Sequence, residues 1–246
     1  MAEVRCPDKL TQFGILAKHW SPGRVKTRLA AFCGEQRAAR LHRAFLESTL
    51  HRFASVAERH VVCFTPEKTR AEFEKISGDH WKLLVQVSGN LGERIAGYFQ
   101  EAFASGSERV VLVGADAPSL PVASVAAAFR ALEQHDLAFV PSEDGGYCLI
   151  GATRPVEPVT TNIRWGSESV WEQTREKFST LNWSAKILPS WYDIDHEKDL
   201  LRLMNELALI RNDSKDGHDA EDANLDWLHG QIHEICKGLS IGHPKD

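Results

Sequence analysis

The stretch Phe13-Gly14-Ile15-Leu16-Ala17-Lys18, followed two residues later by Ser21-Pro22-Gly23-Arg24-Val25-Lys26-Thr27-Arg28-Leu29, decides how the chain is read. Its first part is a short apolar run with the length of a buried strand. The second opens on Pro-Gly, a turn signal, and carries Arg24, Lys26 and Arg28 on alternate positions. In an extended stretch that period throws all three cations to one side. Backbone N–H groups freed by the Gly23 turn can point the same way. Such a loop at the exposed end of a strand suits a polyphosphate, through charge-assisted hydrogen bonds and oriented backbone dipoles. A solvated basic loop is the plainer reading of the same residues. Neither G-x-x-x-x-G-K-[ST] nor G-x-G-x-x-G occurs, so an ordinary phosphate loop and a dinucleotide fingerprint have no motif support.

Outward from this stretch, short apolar runs alternate with helical patterns. Further strands are expected at His60–Thr65, Lys82–Val87, Arg109–Gly114, Leu137–Val140 and Tyr147–Gly151. Between them, Leu41, Phe45, Leu46, Leu50, Phe53 and Ala57 make an apolar stripe at helical spacing within Glu35–Ala57. Helices are also expected over Glu67–Ile76, Leu91–Ser105 and Pro121–Gln134. This alternation predicts an α/β fold with a mainly parallel, doubly wound sheet, where ligands bind beyond the carboxyl ends of the strands. After Ala152, Arg154-Pro155-Val156-Glu157-Pro158 breaks the pattern and leads into a covering loop. A helix over Ser167–Phe178, a strand at Lys186–Leu188 and a helix over Glu197–Ile210 complete a first domain, residues 1–210. Residues 211–246 read as a charged linker (Arg211–Glu221), an amphipathic helix (Asp222–Leu239) and a loose tail to Asp246, the helix packing on its own chain or on a partner.

The bulk numbers narrow the function. With 43% hydrophobic residues among 246, the chain can bury a substantial core. A net charge of −5 argues against general nucleic-acid binding and makes the cationic loop a local feature suited to a small anion. Cys6, Cys33, Cys63, Cys148 and Cys236 are scattered and odd in number, which fits reduced thiols in the cytoplasm. Glu3, Arg5, Asp8 and Lys9 interrupt the N-terminus, so no signal peptide is expected, and no run approaches a membrane span.

Three further motifs can carry chemistry. Val110-Val111-Leu112-Val113 runs directly into Gly114-Ala115-Asp116-Ala117-Pro118, leaving Asp116 at the carboxyl end of a central strand. There it can hold Mg²⁺ together with phosphate oxygens and water. It can equally cap the following helix, as can Ser119. Spacing alone favours the cap; the basic loop shifts the balance to the metal. Ser142-Glu143-Asp144-Gly145-Gly146-Tyr147 has hairpin-turn chemistry. Its glycines permit close approach to a substrate, with Asp144 and Tyr147 available to hydroxyls. Asp195 either caps the helix that follows or supplies a second metal carboxylate. Trp165 reads first as core and second as a lid aromatic. The eleven histidines show no metal-ligand spacing, and none is assigned to a metal.

Taken together, Pro22–Leu29, Asn90-Leu91-Gly92-Glu93-Arg94, Gly114-Ala115-Asp116-Ala117-Pro118-Ser119-Leu120, Glu143–Tyr147 and Asp193-Ile194-Asp195-His196-Glu197-Lys198-Asp199-Leu200 resemble a bacterial family of GT-A-fold transferases. These are the glycosyltransferase-like, radical-SAM and selenodomain-associated transferases of type 1. The resemblance runs in order from about Phe13 to Leu207. In fold that family is similar to phospholactate guanylyltransferases and molybdenum-cofactor nucleotidyltransferases, which depend on Mg²⁺. The resemblance implies a nucleotide held by Gly23, Arg24, Lys26, Arg28 and Arg94, with Lys26, Arg28 and Asp116 in catalysis. It places Mg²⁺ (or Mn²⁺) on Asp116 and Asp195, and a small-molecule acceptor over Asp144, Gly145, Gly146 and Tyr147, with Trp165 nearby. Here the first loop has only Gly23, Asn90 stands where the family has Asp, and His196-Glu197-Lys198 stands where it has Thr-Pro-Glu.

Nucleotidyl transfer from a nucleoside triphosphate, with pyrophosphate release, is therefore the leading expectation. Glycosyl transfer from a nucleotide-sugar is the alternative, and an inactive nucleotide-binding module the third. Asp116 stands alone, whereas metal-dependent sugar transferases of this fold use an adjacent D-x-D; Asp193-Ile194-Asp195 has that form but comes late in the chain. No nucleic acid and no membrane enter the expectation, and a homodimer is a candidate assembly.

Overall fold

The computed structural model describes residues 10–213 and 220–239. The charged N-terminal residues Glu3, Arg5, Asp8 and Lys9, together with Cys6, residues 214–219 of the expected linker and the tail to Asp246 lie outside them.

The strands are β1 (Thr11–Lys18), β2 (Arg59–Thr65), β3 (Lys82–Val85), β4 (Arg109–Gly114), β5 (Leu137–Pro141), β6 (Tyr147–Ala152) and β7 (Ala185–Ile187). They form one sheet in the order β3-β2-β1-β4-β6-β5-β7. β3, β2, β1 and β4 are mutually parallel, β6 runs antiparallel between β4 and β5, and β7 is parallel to β5. The expected mainly parallel α/β sheet is thus present, with one reversed strand made by the Ser142–Tyr147 hairpin.

The helices are α1 (Thr27–Cys33), α2 (Glu35–Arg52), α3 (Arg70–Ser77), α4 (Leu91–Ala104), α5 (Val122–Ala131), α6 (Glu157–Thr160), α7 (Val170–Thr180), α8 (Glu197–Asp213) and α9 (Ala220–Cys236). They cover both faces of the sheet. Strand alternation makes the two cores: Val111 and Val113 of β4 pack with Phe13, Ile15 and Leu46 on one face. Val110 and Leu112 pack with Tyr98, Phe99 and Phe139 on the other. A third cluster joins Leu29 of α1, Leu41 and Phe45 of α2, Leu203 and Leu207 of α8, and Leu228 and Ile232 of α9. The C-terminal helix therefore packs on its own chain. α8 continues past residue 210 to Asp213, and α9 begins at Ala220, so both ends of the expected linker are helical.

Two local expectations fail. The first long helix ends at Arg52, not Ala57, and α1 precedes it. The stretch after Gly23 is therefore no extended loop but a turn that enters a helix at Thr27.

From β1 the chain steps outward to β2 and β3, then returns to lay β4 on the other side of β1. The switch of direction lies between β1 and β4, whose carboxyl ends open a crevice for ligands. The Ser21–Arg28 loop follows β1 and Asp116 follows β4.

Candidate active site

A cleft of about 1520 Å³ opens at that edge. Lys26, Arg28, Arg94, Asp116, Asp144, Gly145, Gly146, Tyr147, Trp165 and Asp195 all line it. The fold thus brings together residues spread over 170 positions of chain. Gly23 and Arg24 are not among the lining residues. Gly23 (φ 70°) makes the turn over Glu35, and Arg24 is exposed, its N–H bonded to the Ser21 carbonyl. The period-two expectation for the three cations is corrected here, because a turn and a helix start do not alternate side chains as a strand does.

Lys26 is the centre of the site. Its backbone is left-handed (φ 47°, ψ 44°) at the residue before α1, and its carbonyl accepts the first helical hydrogen bond, from Ala30 N–H. Buried Val25 and Leu29 anchor the chain on either side. Its side chain, only 3% exposed, reaches inward so that Nζ lies 2.6 Å from Asp116 Oδ1 and 3.0 Å from Asp195 Oδ1. Arg28, on the solvent side, donates to the other oxygen, Asp195 Oδ2, at 3.1 Å. Burial alone would raise the Asp116 carboxyl, but the Lys26 ammonium and the His42 ring outweigh it and hold Asp116 well below the usual carboxylate range. Burial likewise opposes charge on Lys26, yet Asp116 and Asp195 together keep its ammonium above the ordinary lysine value.

The geometry settles the capping alternatives. Neither the Asp116 nor the Ser119 side chain caps α5, which starts from Pro121 without a side-chain cap. Ser119 instead meets the Trp191 indole N–H (3.3 Å) and the Tyr192 hydroxyl (3.4 Å). At α8, Asp199 takes the N–H groups of Asp195 and His196, at 3.2 and 2.7 Å. Asp195 is thereby left to face the cleft.

Two residues, His42 and Gln86, escaped the reading of the sequence, and a third, Asp193, entered it only as part of a late D-x-D. His42, on α2, is buried; its Nε2–H donates to Lys18 O at 3.0 Å, and Nδ1 faces Asp116 Oδ1 at 3.6 Å. The detectable signal was a polar residue four positions from Ala38 and Leu46, both core positions of its helix. Gln86 donates to the Ala17 and Cys63 carbonyls, at 2.9 and 2.8 Å, and accepts from Arg94 Nη1 at 3.2 Å. It ties the ends of β1 and β2 to Arg94. Asp193 accepts from Ser142 Oγ at 2.9 Å; its burial and the charge of Asp144 push its carboxyl up.

At the far end of the cleft, Gly145 (φ 88°) abuts residue 168 so closely that a Cβ would sit 2.1 Å from the Glu168 carbonyl oxygen. The close approach that requires glycine here is to its own chain. Asp144 Oδ1 accepts from Gly146 N–H at 3.0 Å, and the Tyr147 ring meets Trp165 edge-on at 6.2 Å between centroids. Trp165 both packs and lines. A Cβ on Gly92, the second residue of α4, would lie 2.4 Å from the Thr160 carbonyl oxygen and 2.6 Å from the Trp165 indole nitrogen, so any side chain there forces a shift. Asn90 and Glu93 close that start as a reciprocal capping box.

Two carboxylates converging on one cation are hard oxygen donors of the type Mg²⁺ prefers, and Asp116 (49% exposed) and Asp195 (32%) leave room for water. The donor set fits a divalent ion with few protein ligands. Among the described residues no group of three or more His, Cys, Asp or Glu is arranged to hold one, so phosphate and water would have to complete the shell. No helix among them is long and apolar enough to cross a membrane.

The strand order and the crevice define a nucleotide-diphospho-sugar transferase type of α/β fold. The chain belongs to the DUF2064 family, described as an uncharacterized protein conserved in bacteria, whose model matches residues 38–167. It is 31% identical to a "putative nucleotide-diphospho-sugar transferase" from Desulfovibrio desulfuricans G20, over 92% of this chain and 97% of that one, with a TM-score of 0.75. The fold is shared with a nucleotidyl transferase from Methanothermobacter (12% identity; 80% and 97% covered; TM-score 0.57). It is shared too with a 4-diphosphocytidyl-2C-methyl-D-erythritol synthase from Anaerococcus prevotii DSM 20548 (11%; 79% and 96%; 0.54). No curated protein matches the chain.

Proposed function

We propose that the protein is a Mg²⁺-dependent, nucleotide-using transferase. Its leading activity is transfer of a nucleotidyl group from a nucleoside triphosphate to a small phosphorylated or hydroxyl acceptor. The observation that carries this is the convergence of Asp116 and Asp195 with Lys26 and Arg28 at the switch point of the sheet. Lys26, Arg28 and Arg94 would neutralise the polyphosphate, Arg94 being aimed by Gln86. Mg²⁺ held by Asp116 and Asp195 would add charge neutralisation at the phosphate oxygens. The acceptor, lying between Asp144, Tyr147, Trp165 and Asp193, is oriented by hydrogen bonds and ring packing. Its oxygen bonds to the α-phosphorus, and pyrophosphate departs with the electrons of the broken P–O bond; a phosphorylated acceptor attacks through an already ionised oxygen, and a hydroxyl acceptor releases its proton to the water of the cleft.

A second reading, glycosyl transfer from a nucleotide-sugar, is supported by the description of the Desulfovibrio relative. Against it, a lone Asp116 stands after β4 where a sugar transferase of this fold would carry an adjacent D-x-D. The two readings separate in a thermal-shift panel of nucleoside triphosphates and nucleotide-sugars with Mg²⁺. At a hundred times its dissociation constant a ligand adds about 2.7 kcal/mol. Triphosphates are expected to give the larger shifts; a panel in which only nucleotide-sugars shift the protein favours glycosyl transfer, and no shift at all overturns both readings.

Buried thiols at Cys33, Cys63, Cys148 and Cys236 suit a reducing compartment such as the cytoplasm. Exposed Leu209 and Trp227, on α8 and α9, supply apolar contact for a second copy of the chain.

A further inference from the structure

Ammonium and metal compete for the Asp116–Asp195 pair. Lys26 Nζ sits between Oδ1 of Asp116 and Oδ1 of Asp195, and Arg28 holds Asp195 Oδ2, so a Mg²⁺ bonded at about 2.1 Å to the oxygens the two carboxylates turn toward each other takes the ammonium's place. The charges also cancel: two carboxylates face Lys26 and Arg28, which leaves little net attraction for a bare dication. The Lys26 backbone is fixed by its helical hydrogen bond and by buried Val25 and Leu29. Its side chain has four rotatable torsions, which give the ammonium a route to a new partner once its contacts to Asp116 and Asp195 are broken. A polyphosphate supplies both what the ammonium needs on leaving the carboxylates and the oxygens the metal needs on arriving.

We propose that Lys26 is the resident cation of the Asp116–Asp195 pair, and that a divalent cation enters only together with a phosphate-bearing ligand, to which the Lys26 ammonium then turns. This rests on the nucleotide reading above and extends it: metal and polyphosphate bind interdependently, each raising the affinity for the other by the same factor.

The probes are Mn²⁺ alone, followed by the loss of its free-ion electron paramagnetic resonance signal, and Mn²⁺–tripolyphosphate, followed by calorimetry with a protein-free chelation blank. The wild-type chain should bind Mn²⁺ alone at least ten-fold more weakly than Lys26→Met. It should bind Mn²⁺–tripolyphosphate well, and Lys26→Met should lose at least ten-fold there. Equal uptake of Mn²⁺ alone by the two proteins overturns the proposal. If Lys26→Met does not fold, the wild-type arm still decides: tight uptake of Mn²⁺ without phosphate is the overturning result. A gain of Mn²⁺ affinity in Lys26→Met with no tripolyphosphate binding by wild type leaves Lys26 as the resident cation, refutes the coupled entry, and sinks the nucleotide reading separately.

Discussion

Lys26 is a buried ammonium whose charge is tolerated because two carboxylates surround it. Removing one of them leaves the ammonium under-compensated, which typically costs about 3–5 kcal/mol for a fully buried pair and less here, since Asp116 and Asp195 are partly wet. Asp116→Asn is therefore expected to lower the unfolding free energy by about 1–3 kcal/mol. The double variant with Lys26→Met should be less destabilised than the sum of the single changes, and urea unfolding of all four proteins measures that coupling. Strict additivity would mean that the pair does not interact. Between pH 6.5 and 4 a different residue contributes. His60 is buried against His80 (4.5 Å) and Trp81 (5.1 Å), and burial first, then His80, lowers its pKa to about 4. A base with a depressed folded pKa contributes full stability above its unfolded value near 6.5. That contribution is lost as pH falls from there toward 4, amounting to about 3 kcal/mol at most. In His60→Phe the slope of stability between pH 6.5 and 4 should flatten, whatever the cost of the substitution at pH 8; an unchanged slope assigns the sensitivity to other groups.

Among the elements, α9 and the start of α4 carry the clearest expectations. Leu228 and Ile232 of α9 are fully buried in the cluster shared with α1, α2 and α8, and Ser48 Oγ donates to Asn224 Oδ1 at 2.7 Å. Leu228→Ala should cost about 2–5 kcal/mol. Because α1 begins one residue after Lys26, loosening this cluster should weaken nucleotide binding as well; a Leu228→Ala protein with parental melting temperature would contradict the packing. Gly92→Ala should cost about 1–3 kcal/mol through the clash with Trp165 and the Thr160 carbonyl, and should change the tryptophan emission. The strands were legible in the sequence because apolar runs such as Val110–Val113 are short and end on Gly or Pro. α1 was not: Pro22-Gly23 and alternating cations mask a helix that owes its place to Leu29 and Cys33 in the third cluster. His42 and Gln86 were hidden for another reason, since a polar residue inside an apolar pattern declares its partner only when the fold supplies one.

At the scale of the molecule, the sheet order explains why a site can be built from positions 26, 42, 94, 116, 144 and 195. Parallel β1 and β4 bring their carboxyl ends together, and the reversed β6 places the Asp144 hairpin across the same opening. The doubly wound pattern was readable from alternating elements, and so was the rule that polar residues after strands matter. What no spacing rule contains is that Asp116 and Asp195 meet over one ammonium, because that depends on Lys26 turning inward from a left-handed backbone. The most direct test is a crystal grown with a nucleoside triphosphate and Mn²⁺, with the metal located by its anomalous scattering. The account predicts one Mn²⁺ bonded to both Asp116 and Asp195 and to phosphate oxygens, with the Lys26 ammonium moved onto the phosphates. A nucleotide bound in the cleft while Asp116 and Asp195 still hold Lys26, and no Mn²⁺ beside them, would contradict it.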